Sequence, residues 1–340
     1  MEKRFHLKEH GTTVRTEIMA GITTFMAMAY ILMVNAGMFA SLGTVSYGAI
    51  YIATAISAVI GTVLIGLLSN LPLAQASGMG LNAFFVYTVC FGFGLSYANA
   101  LVLVLVDGII FVLLTVTGLR KMIFDAIPAA VKTAISAGIG LFIAFIGLQN
   151  AGIVVDDGAT LVNLASFNVF TGSATWASIF PMLITLVAVF VIGALSKKKV
   201  KGAVCGTSTV TTFVESSSGV AEGGRTGLAS MATAALFFIA MFLAPVAQLI
   251  PTYACAAALI YVGVLMMSNV RNIDWDDPAC AVPGFMTVAF MPLTYNISYG
   301  IAFGLISYVF IKIFTGKIKE INAGTWVITI LFTLMFFLTR

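Results

Sequence analysis

Long runs of apolar residues, broken only by short polar or basic stretches, dominate this chain from residue 17 to its end. A helix needs about 20 mostly apolar residues to cross a bilayer. On that template the pattern predicts spans near 17–40, 46–68, 97–118, 129–149, 175–195, 226–247, 251–268, 281–297, 298–314 and 323–339. Two further stretches are apolar enough to be embedded but too short and too rich in Gly, Ser and Thr for whole helices. They are 75–93 (QASGMGLNAFFVYTVCFGF) and 202–219 (GAVCGTSTVTTFVESSSG). Irregular backbone survives at membrane depth only inside protein or beside a cavity, so these two segments are the places to look for a site.

Composition agrees with that pattern. The 340 residues are 60% hydrophobic and 9% charged, with a mean hydropathy of +1.07. Soluble domains carry about 25% charged residues, so soluble enzymes, nucleic-acid binders and disordered chains are excluded. The net charge of +4 comes from Lys and Arg gathered in short clusters between apolar runs, which orient a membrane protein and do not form a nucleic-acid surface. The fold class is all-α polytopic membrane protein.

Cys90, Cys205, Cys255 and Cys280 stand singly, with no C-x-x-C pair, and read as reduced, buried small hydrophobes. His6 and His10 have no ligand partner elsewhere, so no metal site and no cofactor is expected. The charged residues 1–16 form an N-terminal tail, and the first apolar run has no cleavage site, so it reads as an uncleaved anchor. Lys3, Arg4, Lys8 and Arg15 place that tail in the cytoplasm. Arg120 and Lys121 then fall inside, the Asp156–Asp157 loop outside, and Lys197, Lys198, Lys199 and Lys201 inside again.

An internal repeat runs through the chain. Ile127-Pro128 opens one helix, with Gly140 thirteen residues after the Ile; Ile250-Pro251 opens another, with Gly263 at the same offset. Before each lie a short Gly/Ser/Thr-rich segment and then a long span. Weak repeats of this kind mark secondary transporters, whose substrates bind at interrupted helices. The repeat divides the chain at 17–201 and 202–340, and it is uneven. By symmetry the second half should have about two more spans in front and the first half about one more behind, so roughly three spans are absent near Val200–Gly202. Such a loss inverts everything after residue 202, so Arg225, Arg271, Lys312, Lys317 and Lys319 are expected to face outward unless one segment fails to cross.

Few charged side chains lie in or near the apolar runs: Glu17, Asp107, Lys132 and Glu215. A carboxylate at membrane depth costs about 2.5–3.5 kcal/mol on insertion scales, which makes each a functional candidate. Glu215 is the strongest, between Thr211-Thr212 and Ser216-Ser217-Ser218 in the second broken segment. Asp107 reads as a helix-packing hydrogen bonder and Lys132 as a snorkelling residue. In the first broken segment Gly80 lets backbone approach a ligand, Asn82 offers donors and an acceptor, and Phe84 and Phe85 an aromatic face. An amide facing a carboxylate suits a flat, neutral, hydrogen-bonding solute. An anion transporter is disfavoured by Glu215. No H-E-x-x-H, G-x-S-x-G or phosphate loop occurs, and no enzyme is expected.

The chain resembles the purine permeases of the nucleobase–cation symporter class, in their azaguanine-resistance-like branch. The resemblance is carried by TEIMAGITTFMAMAYILMVN (16–35), QASGMGLNAFF (75–85), GTSTVTTFVESSSGVAEGGRTGL (206–228) and AVPGFMTVAFMPLTYNISYGIAFG (281–304). It implies an inverted 7+7 repeat, here incomplete in the middle, folded into a core and a gate domain. It implies that adenine, guanine or hypoxanthine binds between two broken helices and enters with protons across the plasma membrane, the inner membrane of a bacterium. Gly80 and Asn82 match the first helix's binding motif and Glu215 the acid of the second, with Phe84, Thr211 and Ser216 beside them and Glu215 the proton-coupling candidate. The implied partners are a purine nucleobase, protons and the lipid bilayer, and a homodimer is left open. The chain departs from the family in reading Ala76-Ser77-Gly78 for Ala-Pro-Gly and in lacking an Asp-bearing segment that supplies a further acid. The rival reading is an internally deleted, non-transporting fragment or partner subunit of an intact permease.

Overall fold

The computed structural model describes residues 2–165, 176–195, 216–250 and 252–338. Its helices are α1 Glu2–Phe5, α2 Val14–Met28, α3 Tyr30–Ala40, α4 Tyr47–Leu68, α5 Met79–Ala83, a π-helix Phe84–Gly92, α6 Tyr97–Val116, α7 Leu119–Ala126, α8 Ala129–Asn150, α9 Trp176–Leu195, α10 Ser216–Ala221, α11 Gly227–Met241, α12 Ala244–Ala247, α13 Thr252–Met267, α14 Pro278–Leu293, α15 Ile297–Phe314 and α16 Ala323–Leu338. Among the described residues six helical stretches are long and apolar enough to cross a membrane. The chain is an all-α polytopic membrane protein, and the ends expected from the apolar runs agree with the helices to within a few residues, apart from α11, which stops at Met241 with α12 following.

Local chemistry sets those ends. Thr13, Ser46, Ser96 and Thr226 accept from backbone N–H groups at the starts of α2, α4, α6 and α11. Asp277 and Asn296 do the same for α14 and α15, satisfying donors that a helix leaves orphaned. Gly118, at φ 75°, turns the chain between α6 and α7, a conformation Gly adopts without steric cost.

The chain divides into two compact units, Met1–Asn82 with Gly147–Ala258 and Ala83–Ile146 with Leu259–Arg340. Each draws on both sides of the repeat boundary. In the first unit α11 lies against α2 and α4, and α10 lies on α2. Small residues permit the close approach: a methyl at Gly21 would sit 2.5 Å from the Ala229 carbonyl oxygen. Such contacts are the usual glue between membrane helices. Phe25 meets Phe237 edge-on at 5.1 Å, and the Tyr51 hydroxyl donates to Ala240 O at 3.2 Å. The 154–164 loop folds into a hairpin, β1 Val154–Asp157 paired antiparallel with β2 Leu161–Leu164.

In the second unit α14 and α15 form a tight hairpin, and α8 packs against α13 and α14 through Gly140 and Gly138. Thr325 donates to Ala126 O at 2.6 Å, joining the start of α16 to the end of α7. Asn269 Nδ2 donates to Ser136 Oγ at 2.8 Å, joining the end of α13 to the first turns of α8.

These contacts correct the expected inversion of the second half. Backbone N–H of Arg225 donates to Glu17 at 2.8 Å, so Arg225 lies at the same end of its unit as the basic tail. Within the other unit, the Thr325 and Asn269 bonds bring the chain around Lys317, Lys319 and Arg271 to the end that carries Arg120, Lys121 and Lys132. In each unit the basic residues that these bonds place share one end. Helix packing between the halves overrides the direction that counting spans assigns.

One single-residue expectation is revised as well. Asp107 makes no hydrogen bond or ion pair among the described residues, because every residue from Leu101 to Leu113 on α6 is exposed. Lys132 holds its Nζ 4.3 Å over the Phe124 ring, a cation–π contact at the head of α8.

Candidate functional site

Both sequence-selected segments contribute to the first unit. After α4 the chain leaves helical geometry at Asn70, with φ 50°, and Pro72 prevents its return. Residues 70–78 form no helix, and their backbone needs partners that a helix would have supplied. Buried hydroxyls provide them. Ser230 on α11 donates to Leu71 O and Leu73 O at 2.7 and 2.8 Å. Ser216 on α10 accepts from Ala74 N at 3.0 Å and lies 3.4 Å from Ala74 O. Thr62 on α4 accepts from Gln75 N at 2.9 Å and donates to Gln75 O at 3.1 Å.

The lead-in to the first broken helix is therefore stapled to α10, which begins within the second broken segment. Ser216, a predicted site residue, is 1% exposed and makes that staple. Thr211 and Glu215 lie outside the described residues.

At Met79 the chain resumes a helix, α5, of which Gly80 is buried, Asn82 half-buried and Leu81 exposed. Asn82 Nδ2 donates to Asn35 Oδ1 on α3 at 2.5 Å. Asn35 Nδ2 donates in turn to Thr54 Oγ1 on α4 at 2.6 Å, and the Thr54 hydroxyl donates to Ile50 O at 2.7 Å. The Asn82 Oδ1 accepts no hydrogen bond among the described residues, which leaves it free for a ligand donor. Phe84, half-buried, begins the π-helix. Single-turn π segments occur mostly at functional sites, and this one is longer. It carries Tyr87 to Tyr295, ring centroids 4.8 Å apart, in a cluster with Phe142 and Phe145.

Glu17 is fully buried. Its carboxylate accepts from the backbone N–H groups of Arg225, Thr226 and Ala229 at 2.8, 3.3 and 3.2 Å. A negative group at a helix N-terminus meets both orphaned donors and the positive end of the dipole, so Glu17 anchors α11. Further along α2, Ala20 and Thr24 flank Gly219 of α10, where a methyl would stand 2.6 Å from Ala20 O. One face of α2 thus holds both α10 and α11 in place.

Reading the sequence for charged groups passed over Asn35, Thr54, Thr62 and Ser230. Asn35 carried a usable signal, a lone amide at the end of a 20-residue apolar run. The hydroxyls carried none, since Thr and Ser in membrane helices commonly bond their own backbone. A groove of 480 Å³ between α14 and α15 is lined by Val282, Met286, Phe303 and Phe310. It lacks the convergent polar groups that a flat polar solute requires.

The chain matches the Permease family (Xan_ur_permease) over residues 15–200 and again over 194–303. It belongs to that permease family. The two matched pieces meet where the internal repeat has its gap. The putative permease MJ0326 of Methanocaldococcus jannaschii is 38% identical, covering 99% of this chain and 98% of that protein. The guanine/hypoxanthine permease PbuG of Bacillus subtilis is 35% identical over 99% of each, and the adenine permease AdeP of Escherichia coli 34% identical over 98% and 95%. The alignment with the archaeal permease runs over 427 positions against the 340 of this chain. These permeases therefore carry a stretch that this chain lacks, as the uneven repeat requires.

Proposed function

We propose that this permease takes up purine nucleobases (hypoxanthine, guanine or adenine) across the plasma membrane, driven by protons. The observation that carries the reading is the free Asn82 carbonyl, held on a broken helix by a buried polar relay and stapled through Ala74 and Ser216 to the second broken segment. A carbonyl acceptor there suits a ring N–H of a flat, uncharged base. Relatives that resemble the chain across its whole length bear the names of adenine and guanine/hypoxanthine permeases.

In this reading Gly80 admits the base, Asn82 accepts its N–H, and Phe84 stacks on the ring. Thr211, Glu215 and Ser216 bind it from the second broken segment, and Glu215 takes up the coupled proton. In this reading the N-terminus is cytoplasmic and Arg225, bonded to Glu17, lies inside with it, in accord with the positive-inside rule.

Uptake of labelled hypoxanthine, guanine and adenine in cells stripped of their own purine permeases tests this. Expression of the chain should restore uptake of at least one base, a protonophore should abolish it, and Asn82→Ala or Glu215→Gln should reduce it at least tenfold. Uptake absent with all three bases, or indifferent to both substitutions, would overturn it.

A second reading, a subunit that assembles with an intact permease and does not transport by itself, is favoured by α6. Its exposed Asp107 lies in the middle of a span, where an unpaired charge is costly, and the chain lacks a stretch its relatives possess. Co-purification with a full-length relative, lost on Asp107→Leu, would support it.

A further inference from the structure

We propose that Asn35 and Thr54 fix the orientation of the Asn82 amide, so that its Oδ1 is turned away from the relay and presents a carbonyl acceptor to a nucleobase. The proposal rests on Asn82 lying at the binding site, and it adds what decides the polarity of that contact. An amide side chain can present either end to a ligand, and only its other hydrogen bonds choose between them.

The choice begins at Thr54. Its hydroxyl has one proton, and the Ile50 carbonyl takes it at 2.7 Å. Thr54 Oγ1 can then only accept, so Asn35 must turn its Nδ2 towards it, at 2.6 Å. That leaves Asn35 Oδ1 facing Asn82, which must offer its Nδ2, at 2.5 Å. Asn82 Oδ1 remains without a partner in the relay, beside the second hydrogen of its Nδ2. Turning one amide alone would set two oxygens or two N–H groups against each other. Reversing the whole relay would make Thr54 donate to Asn35 and give up its bond to Ile50, leaving two hydrogen bonds where three stand. Asn35 and Thr54 are 5% and 3% exposed, so water cannot easily replace the lost partner.

A donor-bearing ring is therefore selected at this position, and a ring with an acceptor or an N-methyl group there is refused. A site built around one hydrogen-bonding polarity discriminates strongly against ligands that cannot answer it. Asn35 and Thr54 touch no ligand in this scheme and act only as positioning residues.

The test uses the purified full chain in lipid nanodiscs, with binding of hypoxanthine compared against its singly N-methylated derivatives. In the wild type, methylation at one ring nitrogen should weaken binding most. Thr54→Val and Asn35→Leu should each cut that penalty about fivefold, the equivalent of one hydrogen bond, and Thr54→Ser should restore it. Thr54→Ala replaces Thr54→Val if the latter does not fold. Binding with an unaltered penalty in both variants would overturn the relay while leaving the purine reading intact. Absence of wild-type binding would overturn the purine reading instead. The relay is then judged by the side-chain NH2 resonances of chain labelled with 15N-asparagine, the Asn82 pair being assigned by its loss in Asn82→Ala. That pair should move in Thr54→Val and Asn35→Leu and hold in Thr54→Ser; a pair unmoved by all three would refute the relay.

Discussion

Gly140 on α8 and Gly263 on α13 pack against each other reciprocally. A methyl on Gly140 would stand 2.8 Å from the Gly263 carbonyl oxygen and 2.9 Å from Met267 N; one on Gly263 would stand 2.5 Å from the Gly140 carbonyl oxygen and 2.8 Å from Ala144 N. Each glycine meets the other and the residue four places beyond it. That exchange is the mark of a local two-fold axis, and it joins the two positions that the Ile-Pro repeat pairs in sequence.

The two glycines are thus required by backbone proximity. Gly140→Leu or Gly263→Val should lower the thermal stability of the detergent-solubilised chain by about 1–3 kcal/mol, the usual cost of overpacking. Gly108→Ala on α6, where a methyl would meet nothing within 4 Å, should leave stability unchanged or slightly raised. Thermal unfolding followed by thiol labelling of the buried cysteines measures all three.

Glu17 should behave as an anchor and not as a substrate ligand. Glu17→Ala leaves the N–H groups of Arg225 and Thr226 without their acceptor, while Ala229 N keeps its bond to Thr226 O, and should cost about 2–4 kcal/mol, given roughly 1–3 kcal/mol per unsatisfied group with partial relaxation. Glu17→Gln keeps one acceptor oxygen and should cost less than Glu17→Ala. Backbone hydrogen exchange at the start of α11 should accelerate in the same order.

The hydroxyl staples along Leu71–Gln75 make a graded prediction. Ser216→Ala, Ser230→Ala and Thr62→Val each strip partners from buried, non-helical backbone and should each cost about 1–3 kcal/mol. In uptake assays Ser216→Ala should lower apparent affinity more than Ser230→Ala, since Ser216 alone belongs to the second broken segment.

Asp157 gives a pH dependence outside the spans. It accepts from Thr160 N and Ala159 N at 2.9 and 2.8 Å and from Asn163 and the Thr160 hydroxyl. These bonds, the one to Thr160 N first, lower its pKa to about 2 from 3.8. A carboxyl whose folded-state pKa is depressed contributes fully above its unfolded value and loses that contribution as pH falls through the folded one. The β1–β2 turn should therefore hold above pH 4 and loosen between pH 4 and pH 2, read as a fall in protection of the Ala159 and Thr160 amides, relative to their intrinsic exchange at each pH, that Asp157→Asn does not show.

Where the helices lie was legible in the sequence because the requirement is local: enough consecutive apolar residues to span lipid, with Ser, Thr, Asp, Asn or Gly at the ends. The expected spans at 46–68, 97–118 and 129–149 became α4, α6 and α8 almost residue for residue. The first Gly-rich interruption was legible too, as was the equivalence of Gly140 and Gly263 as repeat positions, since a duplicated pattern survives in composition.

What α3 and α11 do for the site was not legible. Asn35 meets Asn82 across 47 positions of chain, and Glu17 meets Arg225 across 208. No local preference records such a partner. The sequence alone determined that this is a many-span membrane protein with two broken segments and an unequal repeat. The tertiary structure decided that the basic residues placed in the later half lie with those of the earlier one, that Glu17 caps a helix, and which end of the Asn82 amide is free. The physical reason is that burial in lipid depends on what each residue is, whereas a hydrogen bond inside a membrane depends on which distant residue packing brings within 3 Å.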